Sequence, residues 1–290
     1  MQNPDEKKID RRAFIQTAGV VAGSAIASTA LSYDRILGAN DRIALGHIGI
    51  GNRGSGLHTM ASRLKDRYNV ETVAVCDLWK NNRERAATRT TEHYGRAPKA
   101  VQHPEELLAM KDVDAVFIAT PEHSHSPMLK STAEAGKHAY CEKPMGNVLE
   151  EVKAARDAVK QRNLVVQIGT QHRSEPYQLA AREVLRSGAL GDVSKYEIVW
   201  NYNGPRWRGR PEVKLIRPED TDWKAWLMTK PDRPFDPQLY FEFRLYREFS
   251  SGIPNCELLL WKQGVAGFRI GCGGSMNSNT RTWPGRLKKI

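Results

Sequence analysis

The sequence is poor in cysteine, and its cysteines are widely spaced. Only four of the 290 residues are cysteines, and they show neither a CxxC pair nor the spacing of a zinc site. This pattern excludes a cysteine-ligated metal site from the prediction. Cys76 and Cys141 fall at the ends of predicted strands, where buried free thiols are expected.

Basic runs interleaved with aromatic residues are also lacking, although the net charge is +11 and the isoelectric point is about 9.5. Lysine and arginine are scattered along the chain and cluster only near the N-terminus and in 254–290. Scattered charge is typical of solvated surface, so nucleic acid is not expected as a partner. Hydrophobic residues make up 40% of the chain, which is ample for a core.

A long, purely hydrophobic run is missing as well. The weakly apolar stretch 13–31 is diluted by glycine, serine and threonine, so no stable membrane span is expected. The stretch follows Arg11 and Arg12, which form a twin-arginine pattern, and it contains small-residue patterns suited to cleavage. Residues 1–40 are therefore predicted to be a leader for the twin-arginine (Tat) export machinery, which would deliver the protein to the periplasm or otherwise out of the cytoplasm.

The stretch 42–77 has the pattern of a strand, a glycine-rich turn, a helix and a second strand. An apolar run leads into the motif GIGNRG at 49–54, and apolar residues then recur at helical spacing. Gly49 permits a tight turn, Gly51 lets the backbone approach a pyrophosphate, and Gly54 lets the helix pack against its strand. Because the helix N-terminus supplies free N–H donors, the stretch predicts a dinucleotide-binding site, with a purely structural turn as the alternative.

Asp77 closes the second predicted strand. Its carboxylate would accept hydrogen bonds from the hydroxyl groups of an adenosine ribose. A 2′-phosphate at the same place would meet like charge, so Asp77 favours NAD. Lys80 and Arg83 follow closely and leave NADP open as the cofactor.

Strands and helices alternate along 42–168, which predicts an α/β fold with a parallel sheet covered on both faces. One predicted strand is followed by Thr120, Pro121, His123 and His125. Ligands of such sheets bind outside the carboxyl ends of the strands, where these residues would lie. No third metal ligand accompanies the two histidines at a suitable spacing, so helix capping or cofactor contact is expected of them rather than metal binding.

Three motifs together resemble the glucose-fructose oxidoreductase, inositol dehydrogenase and rhizopine-catabolism (Gfo/Idh/MocA) family. They are GIGNRG at 49–54, ATP at 119–121 and EKP at 142–144. The resemblance extends from about residue 10 to about residue 253. It implies an oxidoreductase that uses NAD or NADP and acts on a small-molecule carbohydrate.

The resemblance also implies how the chain is divided after the leader. A doubly wound Rossmann domain would occupy 41–168. An incomplete α+β domain with a mostly antiparallel sheet would occupy 169–253, bind the substrate and open with a half-buried strand at 192–203. Residues 254–290 form an atypical basic tail that the resemblance does not cover.

The resemblance assigns site residues one by one. The cofactor contacts that it implies are Gly49, Gly51, Asn52, Arg53, Gly54, Asp77, Thr120, Pro121, His125, Glu142 and Lys143. Gln171, Arg173 and Tyr177 are expected to rim the substrate site. Ordinary loop polarity at a domain junction is the alternative for these three residues.

Lys143 is the catalytic residue that the resemblance implies. Removing a hydride from a carbinol carbon requires the hydroxyl proton to leave, and a nearby cation stabilises the developing alkoxide. Outside these motifs, a lysine at this position would be interpreted as a surface residue paired with Glu142.

Two alternatives to sugar or polyol oxidation remain. The leader and the residues Asn52 and Arg53 also resemble the subgroup that contains glycoside hydrolase family 109, which oxidises a sugar transiently with bound NAD during glycoside cleavage. The last histidine of this chain is His172, whereas the family places a proton-sharing histidine later, so a truncated, inactive dinucleotide-binding homologue is the second alternative. A homo-oligomer is compatible with either.

Replacing Arg11 and Arg12 together by lysine is expected to trap the precursor in the cytoplasm, because the twin-arginine pattern directs export. Immunoblots of cytoplasmic and periplasmic fractions measure this. Unchanged fractionation would mean that the leader is an ordinary N-terminal helix.

Overall fold

The computed structural model describes residues 42–192 and 208–251, apart from the side chains at 172 and 173. The predicted leader at 1–40 and the basic tail at 254–290 lie outside the described residues. Almost all of the strand predicted at 192–203 lies outside them too. The expectations for these segments therefore stay predictions.

Six parallel strands form one sheet. They are β1 (Ile43–Ile48), β2 (Val70–Cys76), β3 (Lys99–Val101), β4 (Ala115–Ile118), β5 (His138–Glu142) and β6 (Val166–Gly169). Their order in the sheet is β3-β2-β1-β4-β5-β6. This is the order of a doubly wound dinucleotide-binding fold, so the predicted Rossmann architecture is confirmed.

Helices alternate with the strands and continue beyond the sheet. They are α1 (Asn52–Arg63), α2 (Lys65–Tyr68), α3 (Lys80–Tyr94), α4 (Pro104–Leu108), α5 (His125–Glu134), α6 (Leu149–Gln161), α7 (Pro176–Arg186), α8 (Trp223–Leu227) and α9 (Pro237–Glu242). Short 3-10 turns cover Glu122–Ser124, Gln171–Ser174, Pro211–Lys214, Pro218–Asp220 and Phe243–Leu245. None of the helices in the described residues is long and apolar enough to cross a bilayer.

The main core lies along the sheet. Ile48 of β1 and Ile118 of β4 are paired in register and are almost completely buried. Burying such a side chain contributes about 1.5–3 kcal/mol. Cys76 and Cys141 are buried free thiols, as expected, and burial raises the pKa of both.

The described part of 169–253 is helical after β6, and the antiparallel sheet expected for this region stays a prediction. After β6, which ends at Gly169, every regular element in 170–192 and 208–251 is a helix or a 3-10 turn. Proline begins four of these helices and turns, at Pro176, Pro211, Pro218 and Pro237. Proline suits the first turn of a helix, where no N–H bond is needed, but it cannot donate to a strand ladder.

A second apolar cluster joins the segment 208–251 to the loop after β2. Its buried members are Trp79, Ile216, Trp226, Leu227, Leu239, Tyr240 and Phe249. The ring centroids of Trp79 and Phe241 are 5.1 Å apart in an edge-on arrangement. Helices of the segment therefore pack directly against residues that follow a strand of the nucleotide-binding sheet.

Two buried histidines lie between β1 and α1. His47 stacks on Phe117 and shares a hydrogen bond with the Thr72 hydroxyl group at 3.2 Å. His58 lies edge-on to His47 at 5.0 Å. Burial lowers the pKa of His47 from 6.5 to about 3 and that of His58 to about 4. Both rings are therefore neutral in the folded protein at neutral pH.

Acidification is expected to destabilise the fold through His47. Below pH 6.5 the His47 ring binds a proton in the unfolded chain but stays neutral in the folded protein. The free energy of unfolding therefore has its full value above pH 6.5 and decreases as the pH falls toward 3. His47→Phe should reduce the slope of unfolding free energy against pH by about 1.4 kcal/mol per pH unit between pH 6 and 4. Urea unfolding at several pH values measures this, and His93→Gln is the control. If the curves of unfolding free energy against pH ran parallel for His47→Phe and the parent, the attribution of the acid destabilisation to His47 would be contradicted.

Candidate nucleotide and active site

The carboxyl ends of β1, β2, β4 and β5 meet at one edge of the sheet. Gly49, Asp77 and Thr120 follow β1, β2 and β4, and Lys143 follows β5. β1 and β4 are neighbours although two strands separate them in sequence, so the chain changes direction in the sheet between them. Ligands of doubly wound sheets bind outside such a switch point.

The glycine-rich turn is too tightly packed for side chains at two positions. Gly49 has a φ of +81°, and a Cβ there would lie 2.7 Å from the backbone N of Thr120. A Cβ on Gly54 would lie 1.9 Å from the carbonyl oxygen of Gly49. These contacts hold the start of α1 close to the ends of β1 and β4.

The N-terminus of α1 is suited to an anion. Gly51 is the N-cap residue, no side chain caps the helix, and its first turn carries no acidic residue. The first N–H groups of a helix have no intrahelical acceptor, and the helix dipole favours negative charge beside them. Gly51, Asn52 and Arg53 lie at this terminus, and their contact with a pyrophosphate stays a prediction.

Asp77 supports the glycine-rich turn. Its Oδ2 accepts hydrogen bonds from the backbone N of Ile50 at 2.7 Å and from Asn82 Nδ2 at 3.2 Å. Its Oδ1 accepts one from the backbone N of Trp79 at 3.0 Å. Burial raises the pKa of Asp77, and these hydrogen bonds oppose the rise. Contact with a ribose would use the remaining lone pairs and stays a prediction.

Glu142 connects the glycine-rich unit to Lys143. Its carboxylate, only 5% exposed, accepts a hydrogen bond from Arg53 Nε at 2.7 Å in an ion pair across the end of β4. It also accepts one from the backbone N of Lys143 at 3.1 Å and one from the Tyr140 hydroxyl group at 3.3 Å. The Glu142 carboxylate is therefore paired with Arg53 and not with the Lys143 side chain. The alternative that Lys143 is a surface residue paired with Glu142 is wrong.

The Lys143 side chain is half-buried at the end of β5. Glu142 forms its ion pair with Arg53. No carboxylate of the described residues forms an ion pair with the Lys143 ammonium group. An ammonium group without a counterion at a ligand-binding edge is available to a substrate oxygen. The catalytic role of Lys143 stays a prediction.

His125 ties together the loops that follow β4 and β5. Its Nδ1 lies 2.6 Å from the carbonyl oxygen of Pro144, and its Nε2 lies 2.7 Å from that of Thr120. Burial lowers the pKa of His125, whereas the two carbonyl groups and the nearby carboxylates act in the opposite direction. Both ring nitrogens are engaged with protein, so the geometry favours a positioning role over the predicted contact with the cofactor.

Thr120 and Pro121 lie between the glycine-rich turn and this histidine. The Thr120 Oγ1 is buried and has no hydrogen-bond partner among the described residues. A buried hydroxyl group without a partner is costly, and a ligand that reaches it would remove the cost. The contact of Thr120 with the cofactor stays a prediction.

Sequence reasoning missed the roles of Glu122 and His123. Glu122 is 1% exposed and accepts hydrogen bonds from Ser250 Oγ at 2.7 Å and Arg244 Nε at 3.0 Å. His123 shares a hydrogen bond with the carbonyl oxygen of Trp226 at 2.8 Å. These contacts hold the segment 208–251 on the loop that follows β4. The only sequence signal was their place at the end of a predicted strand.

The predicted substrate residues lie near the end of β6. Gln171 begins a 3-10 turn directly after β6, whose Gly169 pairs in register with Glu142. Arg173 belongs to the same turn, and Tyr177 is 53% exposed in the first turn of α7. The fold brings Gln171 toward Glu142, and contact of all three residues with a substrate stays a prediction.

Fold and site together define a nucleotide-binding protein of the doubly wound class. Residues 43–170 match the model of an oxidoreductase family with an NAD-binding Rossmann fold. The nucleotide-binding domain at 43–170 is therefore similar to the Rossmann domain of that family, and its cofactor is NAD. The tight glycines, the uncapped start of α1 and the unpartnered Thr120 hydroxyl group all suit such a cofactor.

Several known proteins are similar to parts of the chain. Levoglucosan dehydrogenase of Pseudarthrobacter phenanthrenivorans is 40% identical over 85 residues, which cover 29% of this chain and 22% of that protein. Glycosyl hydrolase family 109 protein 2 of Shewanella sp. (strain ANA-3) is 29% identical over 239 residues, which cover 74% and 50%. The chain thus spans about half the length, or less, of these curated relatives.

Among solved structures, the scyllo-inositol dehydrogenase of Lactobacillus casei with bound NAD(H) and scyllo-inositol has a TM-score of 0.48 and 23% identity. The superposition covers 53% of this chain and 43% of that one.

Gly54→Ala is expected to abolish NADH binding, or to weaken it at least tenfold, because its Cβ would collide with the Gly49 carbonyl group at 1.9 Å. Gly56→Ala is the matched control, since a Cβ there has no atom within 4 Å. That change should preserve NADH binding and stabilise α1 by about 0.5–1 kcal/mol. Fluorescence titration with NADH and urea unfolding test both variants. Equal NADH affinity in the two variants would contradict the packing argument.

Proposed function

We propose that this NAD-binding oxidoreductase-family protein transfers a hydride from a carbinol carbon of a sugar, polyol or glycoside. The observation that carries the proposal is a connected path from Arg53 at the start of α1, through Glu142, to the backbone of Lys143. This path links the phosphate-binding turn to the proposed catalytic lysine. The similarity to a levoglucosan dehydrogenase supports a carbohydrate substrate.

Lys143 is the residue that acts on the substrate hydroxyl group. Bound NAD supplies the hydride acceptor. As the hydroxyl proton passes to solvent water, the Lys143 ammonium group stabilises the negative charge that develops on the oxygen. The hydride leaves the carbon, and the C–O bond becomes a carbonyl group. Glu142 does not neutralise that ammonium group, because its carboxylate is held by Arg53 and by the Lys143 backbone. The same hydrogen bond fixes the backbone from which the Lys143 side chain extends.

The surroundings of Asp77 favour NAD over NADP. Arg83 Nη1 donates a hydrogen bond to the Asp77 backbone carbonyl oxygen at 2.7 Å. Lys80 Nζ lies 3.9 Å from Glu84 Oε1 in an ion pair. Both cations that could have held a 2′-phosphate therefore already have protein partners. A phosphate group would also approach the buried Asp77 carboxylate, which repels it.

Glycoside cleavage assisted by NAD is the second candidate. It is favoured by the similarity to family 109 proteins, which covers 74% of this chain. The two reactions differ in their net production of NADH. Transient oxidation returns the hydride to the sugar and leaves no net NADH, whereas simple oxidation of the substrate accumulates it. Absorbance at the NADH band, recorded while sugar release is followed, separates the two.

Export and a separate substrate domain belong to the same proposal. The twin-arginine pattern at Arg11 and Arg12 supports delivery by the Tat machinery to the periplasm. The resemblance supports a substrate-binding region at 169–253 after a nucleotide domain at 41–168.

Lys143→Met is expected to lower kcat/KM for an active carbohydrate by about 10² or more, the usual effect of losing a group that stabilises developing negative charge. NADH affinity should change by no more than a few fold, because Lys143 acts on the substrate oxygen. Steady-state assays across a panel of sugars, polyols and glycosides measure this. Lys153→Met, on the exposed face of α6, is the control.

Normal turnover by Lys143→Met would return Lys143 to a structural role. A parent protein that binds NADH but turns over no carbohydrate, with or without net NADH, would instead favour the inactive nucleotide-binding homologue.

A further inference from the structure

An open cleft of about 640 Å³ lies between the segment 208–251 and the loop that follows β5. The lining residues that matter here are Asn147, Lys230, Arg244, Arg247, Glu248 and Ser250. Ligand pockets are commonly about 300–1,000 Å³ in volume, so the cleft is large enough for a small carbohydrate.

The cleft adjoins the proposed active site. Asn147 lies in the loop that begins with Lys143 at the end of β5. The opposite wall is attached to the loop after β4, because Arg244 and Ser250 both hydrogen-bond to Glu122. The cleft therefore lies at the same edge of the sheet as Lys143 and Thr120.

The charges that line the cleft are not balanced. Arg244 is held by the buried Glu122, and Glu248 forms an ion pair with Arg233. Lys230 and Arg247 have no carboxylate partner among the described residues. Burial is the main cause that lowers the pKa of His123 to about 4, and the nearby positive charge of Lys230 contributes to this decrease. Two cations without counterions in one concave surface attract an anion.

We propose that the cleft binds the acidic group of a polyhydroxylated substrate, a carboxylate or phosphate ester, through Lys230 and Arg247. Asn147 supplies an amide group of the kind that binds sugar hydroxyl groups. The inference rests on the proposed function and narrows its substrate to sugar acids or sugar phosphates. Ordinary solvated surface charge is the competing explanation.

Calorimetry on the full chain with NAD, using glucuronate, glucose 6-phosphate and glucose as probes, tests the inference. At low salt, at least one acidic probe should bind about tenfold more tightly than glucose, because charge-assisted hydrogen bonds exceed neutral ones. Added salt should weaken only the acidic probe. The preferred acid distinguishes a carboxylate site from a phosphate site.

Lys230→Met and Arg247→Met should each weaken the acidic probe about tenfold and leave glucose binding unchanged. Lys224→Met, an exposed lysine of α8 outside the cleft, is the control and should change neither. An acidic probe that binds no better than glucose to the parent overturns the inference, and so does unchanged acid binding in both variants.

The two proposals can fail separately. NADH formation from neutral carbohydrates, without any binding of the acidic probes, would overturn this inference and leave the proposed function standing. Tight, salt-sensitive binding of an acidic probe, without oxidation or cleavage of any carbohydrate, would do the reverse.

Discussion

The contact between Gly54 and the carbonyl oxygen of Gly49 is the constraint on which the rest of the site depends. A Cβ at position 54 would lie 1.9 Å from that oxygen, so α1 can start this close to β1 only with glycine there. The same turn meets the backbone of Thr120 after β4. One close approach thus sets the position of the α1 N-terminus relative to both strands of the switch point, where a pyrophosphate binds.

Glu142 shows how a buried charge can organise a site. A carboxylate taken out of water is tolerated only when its oxygens are paired and hydrogen-bonded. Arg53, Tyr140 and the backbone N–H of Lys143 supply those partners from two different elements. Because they satisfy Glu142, the Lys143 ammonium group has no carboxylate partner among the described residues. An acidic residue directly beside a lysine in the sequence therefore need not neutralise it.

The fold was largely predictable, whereas the contacts between its elements were not. The strands β1, β2, β4 and β5 leave a local apolar pattern, and the glycine-rich turn has a mechanical reason for each glycine. β3 has only three residues, none of them fully buried, so it leaves no such pattern. The pairs Arg53 with Glu142 and Glu122 with Ser250 join residues far apart in sequence, and spacing carries no signal for them.

The loop 120–125 joins the nucleotide-binding sheet to the segment 208–251. Its first residue places a buried hydroxyl group near the glycine-rich turn, and its last residue holds the loop that carries Lys143. Between them, Glu122 is buried against Arg244 of the segment 208–251. Breaking such a pair while one charge stays buried costs about 3–5 kcal/mol. The cleft wall therefore cannot separate from the loop without losing the ion pair between Glu122 and Arg244.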